Sequence, residues 1–180
     1  MMNIYVVRHC KAGGQESSAP LTDLGLQEAN KLSEFLLSKN IDFIISSPYE
    51  RAHRTIAPLA EKLEIDIVFD NRLTERILSN KNNPEWRSML KNTYDNLDLC
   101  YDGGESSMTA MSRAISVIDE VLSKEFKNIV LVSHGNLISL ILKHYDDRFG
   151  FKEWESFTNP DVYLLSFTQT PPNISRIWRD

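Results

Sequence analysis

Asn3-Ile4-Tyr5-Val6-Val7, running into Arg8-His9-Cys10-Lys11-Ala12-Gly13-Gly14, decides how this chain is read. Four β-favouring residues followed by a cation, an imidazole and a glycine pair predict a buried strand whose C-terminal end opens onto a polar loop. In an open α/β sheet that edge is where ligands bind. An arginine there can fork two hydrogen bonds onto a phosphate or carboxylate, and a histidine beside it can act as acid, base or nucleophile near neutral pH. The stretch therefore nominates His9 as a nucleophile toward phosphorus and Arg8 as part of an anion clamp.

Working outward, the strand, polar turn and helix pattern repeats. Pro20-Leu21-Thr22-Asp23 supplies a turn and a Thr or Asp helix cap. Leu24, Leu26, Ala29, Leu32, Phe35 and Leu36 then recur at helical spacing. Ile41 to Ile45 reads as a second strand, broken by Ser46-Ser47-Pro48, and a helix opening near Tyr49 carries Arg51, His53 and Arg54 near its start. Ile65 to Phe69 reads as a third strand, followed by the charged run Asp70 to Arg76.

Residues 77 to 104 change character, with Asn80, Asn82, Asn83, Pro84 and Gly103-Gly104 punctuating one modest helical stripe that includes Trp86, Met89 and Tyr94. They read as an inserted cap over the ligand edge, with those three residues in the core of the cap. A long helix is expected from about Glu105 to Phe126, and Asn128 to Val132 is the clearest central strand. Ser133-His134-Gly135-Asn136 leads from it straight into another apolar helix. Val162 to Thr168 and Ile174 to Trp178 read as two closing strands across Pro171-Pro172, antiparallel because that link is too short for a parallel crossover. The expected architecture is a three-layer α/β/α sandwich with a mostly parallel sheet, antiparallel closing strands and a small inserted cap. It forms one domain over residues 1–180, with the cap at 77–104.

The composition is that of a soluble globular protein: 180 residues, 42% hydrophobic and 25% charged. A net charge of -5 argues against general affinity for nucleic acid or an anionic membrane surface, so an anion site must be a local concentration of positive charge. No stretch is long and apolar enough for a signal-peptide core or a membrane span, and the expected location is cytoplasmic. Cys10 and Cys100 lie far apart without a C-x-x-C spacing, predicting two free thiols and neither a zinc site nor a disulfide. Cations around Cys10 would favour its thiolate and hence oxidation.

The topology brings Arg8, His9, Arg51, Glu75 and His134 to one edge. Arg8 and Arg51 can clamp the nonbridging oxygens of a phosphoryl group, and surrounding positive charge would keep His9 neutral for attack through one ring nitrogen while a backbone carbonyl orients the other. His134, as a cation or N–H donor, would bind the same oxygens. Glu75 would protonate the leaving alkoxide and then accept a proton from the hydrolytic water. This chemistry calls for no metal and no cofactor, because the arginines and His134 take the electrostatic role. The plainer readings are that Glu75 pairs with Arg72 or Arg76, that Arg54 makes a surface ion pair, and that His53 and His144 are ordinary helix residues.

The motifs Arg8-His9, Pro20-Leu21-Thr22 to Gly25, Ser46-Ser47-Pro48 to Arg51-Ala52 with Thr55, Leu73-Thr74-Glu75, Gly103-Gly104-Glu105-Ser106 and Val132-Ser133-His134-Gly135-Asn136 together resemble the histidine phosphatase superfamily, the phosphoglycerate mutase-like group. The resemblance implies a phosphohistidine mechanism and assigns Arg8, His9, Arg51, Glu75 and His134 to the family's core positions. Two departures stand out. Cys10 replaces the usual glycine after Arg-His, at a cost of about 1 to 2 kcal/mol if φ is positive there. Arg76-Ile77-Leu78-Ser79-Asn80 replaces a segment usually rich in glycine and tryptophan. The expected activity is metal-independent hydrolysis of a small phosphate monoester through phospho-His9. The alternatives are a phosphoglycerate mutase, a protein phosphohistidine phosphatase, or a noncatalytic phospholigand-binding module. Oligomeric state is left open.

Overall fold

The computed structural model describes residues 1–179. Six strands form one mixed sheet: β1 Asn3–Arg8, β2 Phe43–Ser46, β3 Ile67–Phe69, β4 Asn128–Ser133, β5 Asp161–Ser166 and β6 Asn173–Arg176. Their spatial order is β3-β2-β4-β1-β5-β6. The first four run parallel, β5 is antiparallel to β1, and β6 is antiparallel to β5. The closing hairpin across Pro171-Pro172 is thus as the short link requires.

Alternation along the strands builds two cores. Ile4, Val6, Ile45, Ile129 and Leu131 face one side, where they pack with Ala114, Ile118, Leu137 and Ile141 of helices α4 (Ser107–Leu122) and α5 (Gly135–Tyr145). Tyr5, Val7, Ile44, Val130 and Val132 face the other, against Leu32 and Leu36 of α1 (Asp23–Leu37) and Ile56 and Leu59 of α2 (Glu50–Leu63). Both faces are covered, which is why the central strands read as unbroken apolar runs. Each buried aliphatic side chain contributes about 1.5 to 3 kcal/mol. Two further helices, α3 (Trp86–Asp95) and α6 (Phe151–Glu155), pack onto the first of these cores through Leu90, Tyr94, Phe151 and Trp154, and α6 is an element that periodicity did not reveal. Among the described residues no helix is long and apolar enough to cross a membrane.

The expected helix over 105 to 126 is shorter at both ends. Ser106 caps it, its Oγ accepting from the Thr109 amide at 3.1 Å. Phe126 has left the helix and stacks on Phe43, ring centroids 4.2 Å apart, so tertiary packing overrides the local spacing.

The loop between β1 and α1 closes back on itself. Thr22 caps α1 by accepting from the Gly25 amide at 3.0 Å, while its own amide donates to the Lys11 carbonyl at 3.0 Å. A Cβ at Gly25 would lie 2.1 Å from that same carbonyl oxygen. Helix propensity favours alanine by about 1 kcal/mol, but a backbone carbonyl cannot yield cheaply. Gly25→Ala is therefore expected to destabilise the fold by about 1 to 3 kcal/mol, measured as a lower urea midpoint at unchanged slope; an increased midpoint would contradict the clash.

Candidate active site

Strand register assembles the site. β1 and β4 are parallel neighbours with Arg8 opposite Ser133. The next residue of each is a histidine, and the His9 and His134 rings lie 5.2 Å apart, tilted at 58°. β2 is the other neighbour of β4, and Ser47 leaves it with its amide on the Val132 carbonyl. Its Oγ lies 2.8 Å from His134 Nε2. Arg51 follows in the first turn of α2. Three adjacent strand exits thus deliver His9, His134 and Ser47 side by side.

His9 is held in one tautomer. Its Nδ1 is 2.7 Å from the Cys10 carbonyl oxygen, which only an N–H can satisfy, so Nε2 carries the lone pair. Arg51 Nε donates to Nε2 at 3.3 Å. The ring is 9% exposed, and its pKa falls from the usual histidine value to about 4. Burial is the main cause, with Arg51 and Arg8 adding to it, whereas the sequence suggested the cations alone. His134, fully buried beside His9, is driven well below the ordinary value, again first by burial. Its neutral form, not the cation, belongs to this geometry. Its Nδ1 is buried without a hydrogen-bond partner.

Arg8 lies against the start of α5. A Cβ at Gly135 would sit 2.9 Å from Arg8 Nε, so a larger residue there would have to displace the guanidinium. Nη1 donates to the carbonyls of Phe157 (3.2 Å) and Thr158 (3.4 Å), and Nε is buried and unpartnered. Arg51, 2% exposed, donates through Nη1 to the carbonyls of Gln15 and Glu16 and stacks over Tyr49 at 5.1 Å.

Glu75 pairs with neither Arg72 nor Arg76. Its Oε1 accepts from the Leu137 and Arg76 amides (2.9 and 2.8 Å) and its Oε2 from the Asn136 amide (3.0 Å). Two of these are orphan amides of the α5 N-terminus, where a carboxylate complements the helix dipole. Arg72 instead binds Asp70 and Glu120, and Arg54 pairs with Glu50 at the surface. Arg113 of α4 fixes the segment before Glu75 by donating to the carbonyls of Arg72 (2.6 Å) and Thr74 (2.9 Å) while pairing with Glu105.

Cys10 corrects an expectation. Its side chain is fully buried in the core with Leu21, Ala52 and Ile56, and burial pushes the thiol up to about 12, so no thiolate forms beside the cations. Among the described residues the non-glycine ones with positive φ are Asn40 and Glu64, so Cys10 carries no such strain. Its amide donates to Thr55 Oγ1 at 2.8 Å, and Thr55 in turn donates to the Arg51 carbonyl at 2.7 Å. One hydroxyl thereby ties the loop carrying His9 to the helix carrying Arg51. His53 meets Phe69 edge-on and His144 meets Tyr145 edge-on, away from the site.

Several participants went unassigned in the sequence. Ser47 stood at a strand exit and could have been found by the rule that found His9 and His134. Arg76 had no local signal: it is 6% exposed, with Nε and Nη2 on the Glu105 carbonyl (3.2 and 2.9 Å) and Nη1 at 3.4 Å from both Thr93 Oγ1 and Asn136 Oδ1. Tyr94 donates to or accepts from Ser139 Oγ and accepts from Asn136 Nδ2 at 3.2 Å, joining α3 to the start of α5. Trp86, expected in a cap core, is 49% exposed. Arg8, Glu75, Arg76 and Asn136 line a cleft of about 760 Å³ that continues to Leu78, Trp86 and Trp154. A larger groove of about 940 Å³, near Asp146 and Pro171, contains none of the predicted site residues.

The chain is 32% identical over 154 residues to a protein of Salmonella paratyphi A described as a probable phosphoglycerate mutase, GpmB, covering 75% of this chain and 70% of that one. The fold matches mycobacterial glucosyl-3-phosphoglycerate phosphatase in complex with inorganic phosphate, with a TM-score of 0.80 at 21% identity over 100% of this chain and 98% of that chain. It also matches phosphoserine phosphatase from Entamoeba histolytica in complex with 3-phosphoglyceric acid, with a TM-score of 0.79 at 19% identity over 100% and 98% of the two chains. The profile of the histidine phosphatase superfamily, branch 1, covers residues 4–179, and the chain belongs to that family.

Proposed function

We propose that the protein is a metal-independent phosphatase of a small phosphate monoester, working through a phosphohistidine on His9. The observation that carries this reading is the tautomer of His9, with Nδ1–H on the Cys10 carbonyl and the Nε2 lone pair beside Arg51. A phosphoryl group set between the two rings would accept from Arg51 and from the otherwise unpartnered Arg8 Nε, with His134 beside it.

His9 Nε2 attacks phosphorus in line, the P–O ester bond breaks, and Glu75 gives a proton to the leaving oxygen through Oε2, which accepts only the Asn136 amide. Nδ1 keeps its proton and goes on donating it to the Cys10 carbonyl, which supports the positive charge of the phosphorylated ring. Water then gives a proton to Glu75 as its oxygen attacks phosphorus, and the P–N bond breaks to restore His9. The arginines supply the charge neutralisation that a metal supplies elsewhere. Residues 77–104 act as the cap beside the cleft, and His9 itself is 9% exposed, which suits a small ester better than a phosphohistidine on a folded partner. The relatives' mutase description supports the same first half-reaction, and the compact insertion favours release of the product over its rebinding.

Rapid mixing with ³²P-labelled ester and alkaline quench should trap acid-labile, base-stable label on His9, and His9→Ala should lose the label with on the order of a thousandfold or more of kcat. Active enzyme with no such adduct rules out the nucleophile. Glu75→Gln should slow esters with poor leaving groups by about a hundredfold and p-nitrophenyl phosphate much less; equal losses on both would remove Glu75 from the acid role. The depressed His9 pKa means the ring loses its extra proton as pH rises through about 4, far below the usual histidine value. Nitrogen NMR of ¹⁵N-histidine protein at pH 6 should therefore show His9 neutral with the proton on Nδ1, and a doubly protonated ring at that pH would refute the assignment.

A further inference from the structure

The two ring nitrogens of the fully buried His134 are treated differently by their surroundings. Nε2 lies 2.8 Å from Ser47 Oγ, whereas Nδ1 has no protein partner. A neutral imidazole carries its proton on one nitrogen, and the hydrogen bond made by the other decides which. That choice rests with Ser47.

Ser47 is itself fully buried, and its backbone is held on both sides. Its amide donates to the Val132 carbonyl at 2.9 Å, and its carbonyl accepts from Ser46 Oγ at 2.8 Å. Oγ folds back to accept from the Tyr49 amide at 3.3 Å. The Tyr49 ring meets the His134 ring edge-on, centroids 5.1 Å apart, so one short turn fixes both the hydroxyl and the imidazole it faces.

With the Tyr49 amide donating to it, the hydroxyl still has its own proton to place, and among the described residues the acceptor within reach is His134 Nε2. If Nε2 carried the ring proton instead, Oγ would accept twice and its proton would go unmet, while Nδ1 would be a buried lone pair without a donor. A proton on Nδ1 satisfies the hydroxyl and Nε2 together and leaves only the Nδ1–H open. Arg8 Nε, in the same site, is likewise a buried donor without a partner. Open donors on both groups suit a ligand that only accepts, as phosphoryl oxygens do.

We propose that Ser47 is a positioning residue for His134: its hydroxyl donates to Nε2 and so holds the ring proton on Nδ1, making the neutral imidazole a hydrogen-bond donor to the phosphoryl group. The proposal rests on the phosphoryl-site reading above and specifies the state in which His134 enters it.

In nitrogen NMR of the full-length ¹⁵N-histidine protein at pH 7, His134 should show Nδ1 protonated and Nε2 bare, and in Ser47→Ala this single tautomer should give way to a mixture. Tungstate, a dianion with acceptor oxygens only, should bind Ser47→Ala about tenfold more weakly than the unaltered protein. In a His134→Ala background, Ser47→Ala should weaken tungstate no further, because its effect passes through the ring. An Nε2-protonated His134 in the unaltered protein, an unchanged tungstate affinity in Ser47→Ala, or losses that add in the double variant each overturn the role of Ser47. Should Ser47→Ala fail to fold, the spectrum of the unaltered protein still decides the tautomer. Tungstate bound as expected with no label on His9 from any ester fails the phosphatase reading and leaves the role of Ser47 standing, whereas an unaltered protein that binds no tungstate fails both.

Discussion

The site depends on the register between β1 and β4. Arg8 opposite Ser133 puts His9 and His134 at the same height on neighbouring strands, and a parallel pair carries both side chains out at the same edge. A shift of one residue would turn each strand's side chains to the opposite face, exchanging Ile4 and Val6 with Tyr5 and Val7 between two filled cores. The packing of the cores therefore sets the 5.2 Å separation of the histidines. Few alternative registers survive when both faces of a sheet are buried.

Around that pair the protein concentrates cations without neutralising them. Arg8 and Arg51 are held by backbone carbonyls, which accept hydrogen bonds but carry no full charge. The guanidiniums are thereby oriented and keep their positive field. The carboxylate in the site, Glu75, faces the amides of α5 and so completes a helix end. Burial and this field together keep both imidazoles neutral, the form that has a lone pair to use.

The supporting parts are small and specific. Gly135 leaves room for Arg8, Thr55 couples the His9 loop to the Arg51 helix, and Arg113 holds the segment entering Glu75. None of them need touch a substrate, yet each sets an angle or a distance in the site. Cys10 joins this group: its thiol fills the core, and its carbonyl fixes the His9 tautomer.

Local pattern determined the elements and nominated the site. Apolar runs, turn residues and helical spacing placed the strands and most helices, and polar residues at strand exits singled out Arg8, His9 and His134. The order of segments predicted a mostly parallel sheet with a closing hairpin, because short links and crossovers leave few other choices. Tertiary structure alone decided the rest. Arg76 lies buried, Trp86 stands exposed, Phe126 leaves its helix for Phe43, and the Cys10 thiol stays protonated. Each outcome turns on a neighbour distant in sequence, and burial and desolvation are properties of those neighbours that no local spacing encodes.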